Sequence, residues 1–191
     1  MKKTIIIALI LILNISVNQA QEDAIVPLRE LGSFDEDENK YYYYKDLNLD
    51  LNKFIGTWKY QDVTKELIVT FELKTHKESG GDYYDEIYAK FKYTDNGTII
   101  YNTLNDNSES SEHYILGSSI SLSGKEISLG YFEPTDITYR RSLYQRLELK
   151  YLACSSLGCN PQLKWDLHWT KSKDSDVWPF KIPKDLILTK Q

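Results

Sequence analysis

Residues 83–104 read YYDEIYAKFKYTDNGTIIYNTL and hold the clearest structural pattern in the chain. Side chains on a strand point to opposite faces in turn, so strict alternation of apolar and polar residues predicts a half-buried strand. The apolar half of this alternation is Ile87, Ala89, Phe91 and Tyr93. The following D-N-G-T at 95–98 predicts a two-residue hairpin turn, because type I′ turns need positive φ at both central positions. The stretch therefore predicts a β-hairpin with one apolar and one polar face.

The same period of two recurs along most of the chain, and no segment after residue 20 carries a convincing helical stripe. Nine strands are predicted at 54–61, 65–75, 83–94, 98–104, 113–122, 125–133, 143–152, 162–171 and 185–190. Short hairpin connections between consecutive strands are typical of an antiparallel meander. We therefore predict an all-β fold, an antiparallel up-and-down β-barrel of eight to nine strands, because closure removes exposed sheet edges. A β-sandwich is the alternative.

The amino terminus has the order of a secretory signal peptide. Lys2 and Lys3 precede an apolar run from Ile5 to Leu13, and a polar stretch closes at Ala20. The apolar run is too short to span a bilayer as a helix. No cysteine stands at the expected cleavage site, so we do not expect a lipoprotein. Residues 1–20 are predicted to be a Sec-type signal peptide, and the mature protein to be periplasmic or secreted.

Length and charge limit the remaining possibilities. The chain has 191 residues and a formal net charge of −5, so we expect no nucleic-acid or anionic-membrane partner. Residues 21–50 contain an acidic run and a tyrosine block without a regular period, and we expect an irregular lead-in that docks on the barrel as an edge strand or flap. Residues 51–191 are predicted to form a single β-barrel domain with no transmembrane anchor. We expect a monomer.

The two cysteines are spaced for a local bridge. Cys154 and Cys159 have four residues between them and lie in the loop between two predicted strands. Exported chains meet oxidising conditions, where a close pair normally forms a disulfide. The other interpretation is half of a metal site, but a structural zinc needs four ligands and no second pair is present. We predict a disulfide that contributes about 2 kcal/mol on the loop-entropy model.

An apolar, bulky interior follows from the alternation. Small eight-stranded barrels either fill with side chains or hold one small ligand. The residues expected to line the barrel are Phe54, Trp58, Leu67, Val69, Phe71, Phe91, Leu147, Leu149, Trp165 and Leu167. A small apolar molecule is the expected ligand, and a solid core is the alternative.

Tyrosine is over-represented, with 15 residues against 6 Phe and 4 Trp. A tyrosine combines a flat apolar ring with a hydroxyl, which suits contacts with proteins and sugars. The candidate surface aromatic patch consists of Tyr41, Tyr42, Tyr43, Tyr44, Tyr83 and Tyr84. This patch would recognise an extracytoplasmic protein or glycan, whereas the other interpretation is that these tyrosines are ordinary strand residues.

Two resemblances follow from motifs. Phe54–Tyr60 reads FIGTWKY, and its G-x-W resembles the opening of lipocalins and related calycin barrels, in which the tryptophan plugs one end. The chain also resembles a family of uncharacterised secreted flavobacterial proteins, catalogued as a domain of unknown function. The matching motifs are Y-Y-K-D at 43–46, F-x-G-T-W at 54–58, the aspartate-containing strand at 84–87, N-G at 96–97, N-T-L at 102–104, and I-P…L-x-K-Q over 182–191. This resemblance implies export and a lipocalin-like barrel, and it implies no activity.

The chain has three histidines, His76, His113 and His168, around which a catalytic or metal site could form. Asp166 and His168 would share one strand face, which could orient an imidazole or hold a metal, but a wet strand face is the simpler interpretation. The acidic cluster Asp82, Asp85 and Glu86 lacks the pattern of a calcium loop. No P-loop, dinucleotide fingerprint or G-x-S-x-G is present. We therefore expect no metal, no cofactor and no catalysis.

Overall fold

The computed structural model of the protein describes residues 24–33, 35–105, 114–134, 145–154, 156, 158–169 and 178–191. These residues form eleven strands and two short 3-10 helices, Leu28–Glu30 and Leu51–Lys53. The strands are β1 (Ala24–Pro27), β2 (Tyr42–Lys45), β3 (Gly56–Gln61), β4 (Lys65–Ser79), β5 (Asp82–Asp95), β6 (Thr98–Asn102), β7 (Ile115–Ile120), β8 (Glu126–Tyr131), β9 (Gln145–Leu152), β10 (Gln162–His168) and β11 (Asp185–Lys190). The predicted signal peptide and His113 lie outside the described residues.

Eight strands close into an antiparallel barrel in the order β5-β4-β3-β11-β10-β9-β8-β7, and β7 pairs again with β5. β11, the last strand in the chain, pairs with β3, the first of the barrel strands, through Thr189 opposite Lys59 and Lys190 opposite Trp58. The predicted up-and-down barrel is confirmed. The β-sandwich alternative is wrong, because one sheet closes on itself instead of two sheets packing face to face.

The hairpin turns have the positive backbone φ values that their residue types predict. Asn96 and Gly97 have φ of 49° and 76°, the two positive values that a type I′ hairpin needs. Gly80 and Gly81 also have positive φ at the β4–β5 turn. Each of the nine predicted segments overlaps a strand, and β4 and β5 extend a few residues beyond the predicted bounds.

The lead-in, defined as residues 24–50, is more regular than the sequence suggested. β2 runs parallel to the start of β5, with Tyr43 opposite Tyr83, and β1 runs parallel to β2. Val26, Leu28 and Tyr44 join the same buried cluster as the barrel core. The expectation of an irregular segment was wrong for β1 and β2, because main-chain pairing with β5 supplies an order that has no signature in the local alternation. The segment does dock on the barrel, as an edge of its sheet.

β5 organises the molecule because it has different neighbours along its length. Its start pairs with β2, its middle with β7 through Ile87 to Ala89, and its end with β6. β4 covers its other edge throughout. The barrel wall, the lead-in and the β6 hairpin are thus all anchored on one strand.

The predicted disulfide is confirmed. Cys154 is bonded to Cys159 in the connection from β9 to β10. The bridge closes a short loop at the end of a hairpin, so it constrains only the local chain.

Candidate functional site

One end of the barrel is plugged by its own side chains. Trp58 is fully buried, and its Nε1 donates a hydrogen bond to the Phe54 carbonyl oxygen at 2.7 Å. The Phe54 ring meets Tyr151 edge-on at 6.2 Å, and Lys190 Nζ lies 5.2 Å from the centroid of the Trp58 ring. We call this the plugged end. The tryptophan of the G-x-W motif is therefore a fully buried residue of the barrel interior.

The opposite end is organised around Tyr131, the last residue of β8. Its ring is fully buried and lies 6.3 Å from Phe91, 6.2 Å from Trp165 and 5.8 Å from Phe180. Gln145, at the start of β9, is its partner across the sheet, so both side chains point into the barrel. We call this the tyrosine end, made of Tyr93, Tyr101, Tyr131, Glu133, Gln145, Trp165 and Phe180.

Tyr93 belongs to the same interior. It stands two residues after Phe91 on β5, hence on the same strand face, and it pairs with Leu67 and Tyr101 on the neighbouring strands. Only 1% of its surface is exposed.

Several polar atoms at the tyrosine end have no hydrogen-bond partner. They are the Tyr93 hydroxyl, both amide atoms of Gln145 and the Trp165 Nε1, all buried, and no described residue satisfies them. Gln145 is 2% exposed and Trp165 is fully buried. A buried polar group without a partner costs about 1–3 kcal/mol, and native proteins keep few of them. Thr94 Oγ1, Asp166 Oδ1 and Trp169 Nε1 are likewise buried without a hydrogen-bond partner. The four unpaired atoms of Tyr93, Gln145 and Trp165 make the tyrosine end a candidate site.

Glu133 supplies the charge of this end. Its carboxylate accepts hydrogen bonds from the Tyr101 hydroxyl at 3.0 Å and from the Lys181 backbone N–H at 2.6 Å. A longer contact from the Tyr131 hydroxyl, 3.4 Å, reaches the same carboxylate.

The phenols of Tyr93 and Tyr131 stay protonated at physiological pH. Burial raises the pKa of Tyr93 to about 12, with smaller contributions from the negative charges of Asp95 and Asp62. Burial likewise raises the pKa of Tyr131 well above its usual value, and the Glu133 charge adds to the effect. Both hydroxyls therefore remain able to donate and to accept.

All ten residues predicted to line the barrel are fully buried. Phe54 and Trp58 lie at the plugged end, whereas Phe91 and Trp165 pack around Tyr131. Their burial fits an apolar interior, and their role in holding a ligand stays a prediction.

The sequence interpretation missed the polar members of the tyrosine end. Gln145 has the same strand parity as Leu147 and Leu149, so a polar residue at an inward position was visible in the sequence. Tyr93 was recognised only as an apolar ring. The contribution of Glu133 follows from the packing of segment 178–182 across this end, for which the sequence carries no local signal.

The predicted surface patch of tyrosines is wrong for three of its members. Tyr42, Tyr43 and Tyr44 are only 5%, 6% and 0% exposed, because β2 lies between β1 and β5. Tyr44 stacks on the half-buried Tyr84 at 5.3 Å. Tyr41 is 54% exposed.

Tyr83 is half-buried and stacks on the His76 ring at 4.2 Å. Neither Tyr83 nor Tyr84 is fully exposed, so the six tyrosines do not form one open surface.

Asp85 holds the lead-in against the barrel. It is 3% exposed and accepts hydrogen bonds from the Tyr43 hydroxyl at 2.6 Å, the Asp46 N–H at 2.9 Å and the His76 N–H at 3.2 Å. Asp46 in turn accepts from the Leu51 N–H at 2.7 Å. These donors satisfy the carboxylate, so the cluster has the character of a structural clamp.

His168 lies on the outer wall of the barrel. Its Nε2 is 2.9 Å from Glu148 Oε2 and 3.7 Å from Asp166 Oδ1. A groove of about 360 Å³ runs along this wall beside Ser128, and its lysines pair with its carboxylates, Lys150 with Glu126 at 2.7 Å and Lys164 with Asp166 at 3.5 Å. Across the described ranges, no three His, Cys, Asp or Glu side chains are arranged to hold a metal ion.

A family model described as "Family of unknown function (DUF6705)" matches residues 1–191. The chain belongs to this family. No curated protein and no solved structure matches the chain. The described residues contain no helix of the length and hydropathy that a membrane crossing requires.

Proposed function

We propose that this protein is an exported, monomeric binding protein that holds a small molecule in the tyrosine end of its barrel and performs no catalysis. One observation carries the proposal, namely the unpaired polar atoms of Tyr93, Gln145 and Trp165 inside the barrel. Proteins tolerate such local violations chiefly at functional sites, where a bound molecule supplies the missing partners.

The position of these groups supports a ligand site more than a structural defect. At the plugged end, the polar atom of the buried tryptophan has a partner, since Trp58 Nε1 donates to the Phe54 carbonyl oxygen. The two barrel tryptophans thus differ, since Trp165 Nε1 has no partner. That contrast is expected if one end serves stability and the other serves binding.

The ligand that fits the tyrosine end differs from the apolar molecule that the sequence predicted. An apolar body fits the rings of Phe91, Tyr131 and Trp165, but a wholly apolar molecule would leave the Gln145 amide unsatisfied. The proposed ligand is therefore amphipathic, with one polar group. The alternative of a tyrosine-rich interaction surface loses its support, because Tyr42, Tyr43 and Tyr44 are buried.

Export is part of the proposal. The basic and apolar order of residues 1–20 supports a signal peptide. The Cys154–Cys159 disulfide supports an oxidising compartment, periplasmic or extracellular.

The proposal is tested by comparing substitutions at paired and unpaired polar groups. Tyr93→Phe and Gln145→Leu remove unpaired groups, so in protein stripped of ligand they should leave the free energy of unfolding unchanged or raise it by about 1 kcal/mol. Tyr101→Phe is the matched control, because it removes a hydroxyl that donates to Glu133, and it should lower that free energy by about 1 kcal/mol. Urea denaturation of the purified proteins measures both effects.

Binding is measured on the same proteins. Organic extracts of the wild-type protein, purified from the periplasm or medium, should contain a small molecule detectable by mass spectrometry, and extracts of Tyr93→Phe and Gln145→Leu should contain much less. The proposal is overturned if nothing copurifies and Tyr93→Phe destabilises the protein as much as Tyr101→Phe does.

A further inference from the structure

Resting on the proposed function, we infer that the tyrosine end selects small aromatic molecules with an N–H-donating amide or amine head and rejects carboxylates. Three observations carry this inference: the charge of the end, the inventory of its open donors and acceptors, and the ring packing around Tyr131.

The described residues give this end a negative charge. Glu133 is in contact with Tyr101 and Tyr131, and Asp62 and Asp95 act on Tyr93. Over the described chain, the buried charged residues are Asp46, Asp50 and Asp85, and no lysine or arginine is buried. Lys65 lies 3.9 Å from Asp95, and Lys181 contributes its backbone N–H while its residue is exposed.

Among the residues that the structure describes, an anionic head would therefore find no cation to replace its lost hydration. Transfer of a carboxylate out of water without a partner charge is strongly unfavourable, and Glu133 adds repulsion. A neutral amide avoids most of this cost, and an ammonium gains the attraction of Glu133.

The open hydrogen-bonding groups fit an N–H head. The Gln145 amide offers one acceptor and two donor positions, so it complements another amide in a reciprocal pair. An ionised carboxylate has about four acceptor positions, and Glu133 uses three, for Tyr101, Tyr131 and the Lys181 N–H. The remaining position, on Oε2, and the Tyr93 oxygen can each accept an N–H from a ligand.

The arrangement of the aromatic rings around Tyr131 favours a ligand with a planar aromatic body. The rings of Trp165 and Phe180 meet Tyr131 edge to face, with interplanar angles of 77° and 86°. A planar aromatic body extends such a herringbone cluster, because aromatic rings prefer edge-to-face or offset contacts with one another.

The test uses three probes that share a benzyl body and differ in the head: phenylacetamide, phenethylamine and phenylacetate. Isothermal titration of the full-length protein, stripped of copurified material, should give Kd values for the amide and the amine about tenfold or more below that of phenylacetate. Glu133→Gln should remove the advantage of phenethylamine and narrow the gap to phenylacetate. Glu126→Gln, which neutralises a carboxylate on the outer wall, is the matched control and should leave all three Kd values unchanged.

The outcomes separate the two proposals. If phenylacetate binds as tightly as the other probes, or if Glu126→Gln has the same effect as Glu133→Gln, the head selectivity is overturned while the binding function stands. If no probe binds, the inferred ligand class is overturned, while copurification together with the comparison of Tyr93→Phe with Tyr101→Phe decides the binding function independently.

Discussion

The ring and the hydroxyl of Tyr93 differ in what they contribute to the fold. Its ring fills the barrel beside Phe91, while its hydroxyl, buried without a partner, contributes nothing favourable to the fold. A phenylalanine would pack equally well, so the hydroxyl is the part of the side chain that needs a functional explanation. The same reasoning applies to Gln145, which stands where a leucine would be the better core residue.

The first prediction at this scale concerns alkaline pH. Tyr93 has its pKa raised to about 12 in the folded protein, whereas an unfolded tyrosine titrates near 10. Between these values the unfolded state has lost the proton that the folded state retains, so the free energy of unfolding falls as pH rises, by about 1.4 kcal/mol per pH unit for one group. Tyr93→Phe should flatten this decline between pH 10 and pH 12.

Urea denaturation across that pH range measures the slope, with Tyr41→Phe as the same substitution at an exposed position. An unchanged slope in Tyr93→Phe would contradict the prediction.

Among the elements, the β7–β8 turn also packs against residues outside the barrel strands. Gly124 has φ of +67°, and its carbonyl oxygen accepts a hydrogen bond from Lys53 Nζ at 2.7 Å. A Cβ at this position would lie 2.6 Å from Arg29 Nη2 and would also clash with Asp50. The turn is therefore a close contact between the barrel and the lead-in.

Two glycine substitutions separate backbone strain from this contact. Gly97→Ala adds a Cβ that meets nothing within 4 Å, so only the left-handed φ of +76° opposes it, at about 1 kcal/mol. Gly124→Ala adds the clash with Arg29 and Asp50 and should cost about 2 kcal/mol or more of unfolding free energy. Equal losses in urea denaturation would show that the contact with the lead-in is not tight.

The molecule as a whole is a barrel with two unlike ends, and the lead-in packs along the start of β5. The plugged end is stabilised by Trp58 and by the hydrogen bond to Phe54, while the tyrosine end keeps polar groups unsatisfied. Asp85 anchors the lead-in to the barrel, because the Tyr43 hydroxyl and the Asp46 N–H both donate hydrogen bonds to the Asp85 carboxylate. All eight barrel strands nevertheless lie within residues 56–190.

Removal of the lead-in is the prediction at this scale. A chain of residues 51–191 should keep its strand signal in circular dichroism but lose several kcal/mol of unfolding free energy, because Tyr44 and other buried side chains are removed. Asp85→Asn should cost about 2 kcal/mol in the full-length chain and much less in the shortened one, since its donors from the lead-in are then absent. Strictly additive losses would contradict the role of Asp85 as the anchor.

Strand positions and hairpins were predictable because they depend on neighbours in the sequence. The alternation from Ile87 to Tyr93 and the N-G turn at 96–97 specify a local geometry that the barrel then uses unchanged. The apolar parity also placed ten side chains in the interior, and all ten are buried. The disulfide was predictable for the same reason, since its cysteines are close in the chain.

The sequence by itself thus determined an all-β chain, its hairpin order and its apolar interior. Only the tertiary structure decided that Tyr42 to Tyr44 are buried, because β2 pairs with the start of β5, about forty residues away. It also decided that Tyr93, Tyr131 and Gln145 meet at one end, since barrel closure joins strands β5, β8 and β9 around a common interior. The physical reason is that local periodicity fixes the face on which a side chain lies, whereas its partners there depend on how the sheet closes.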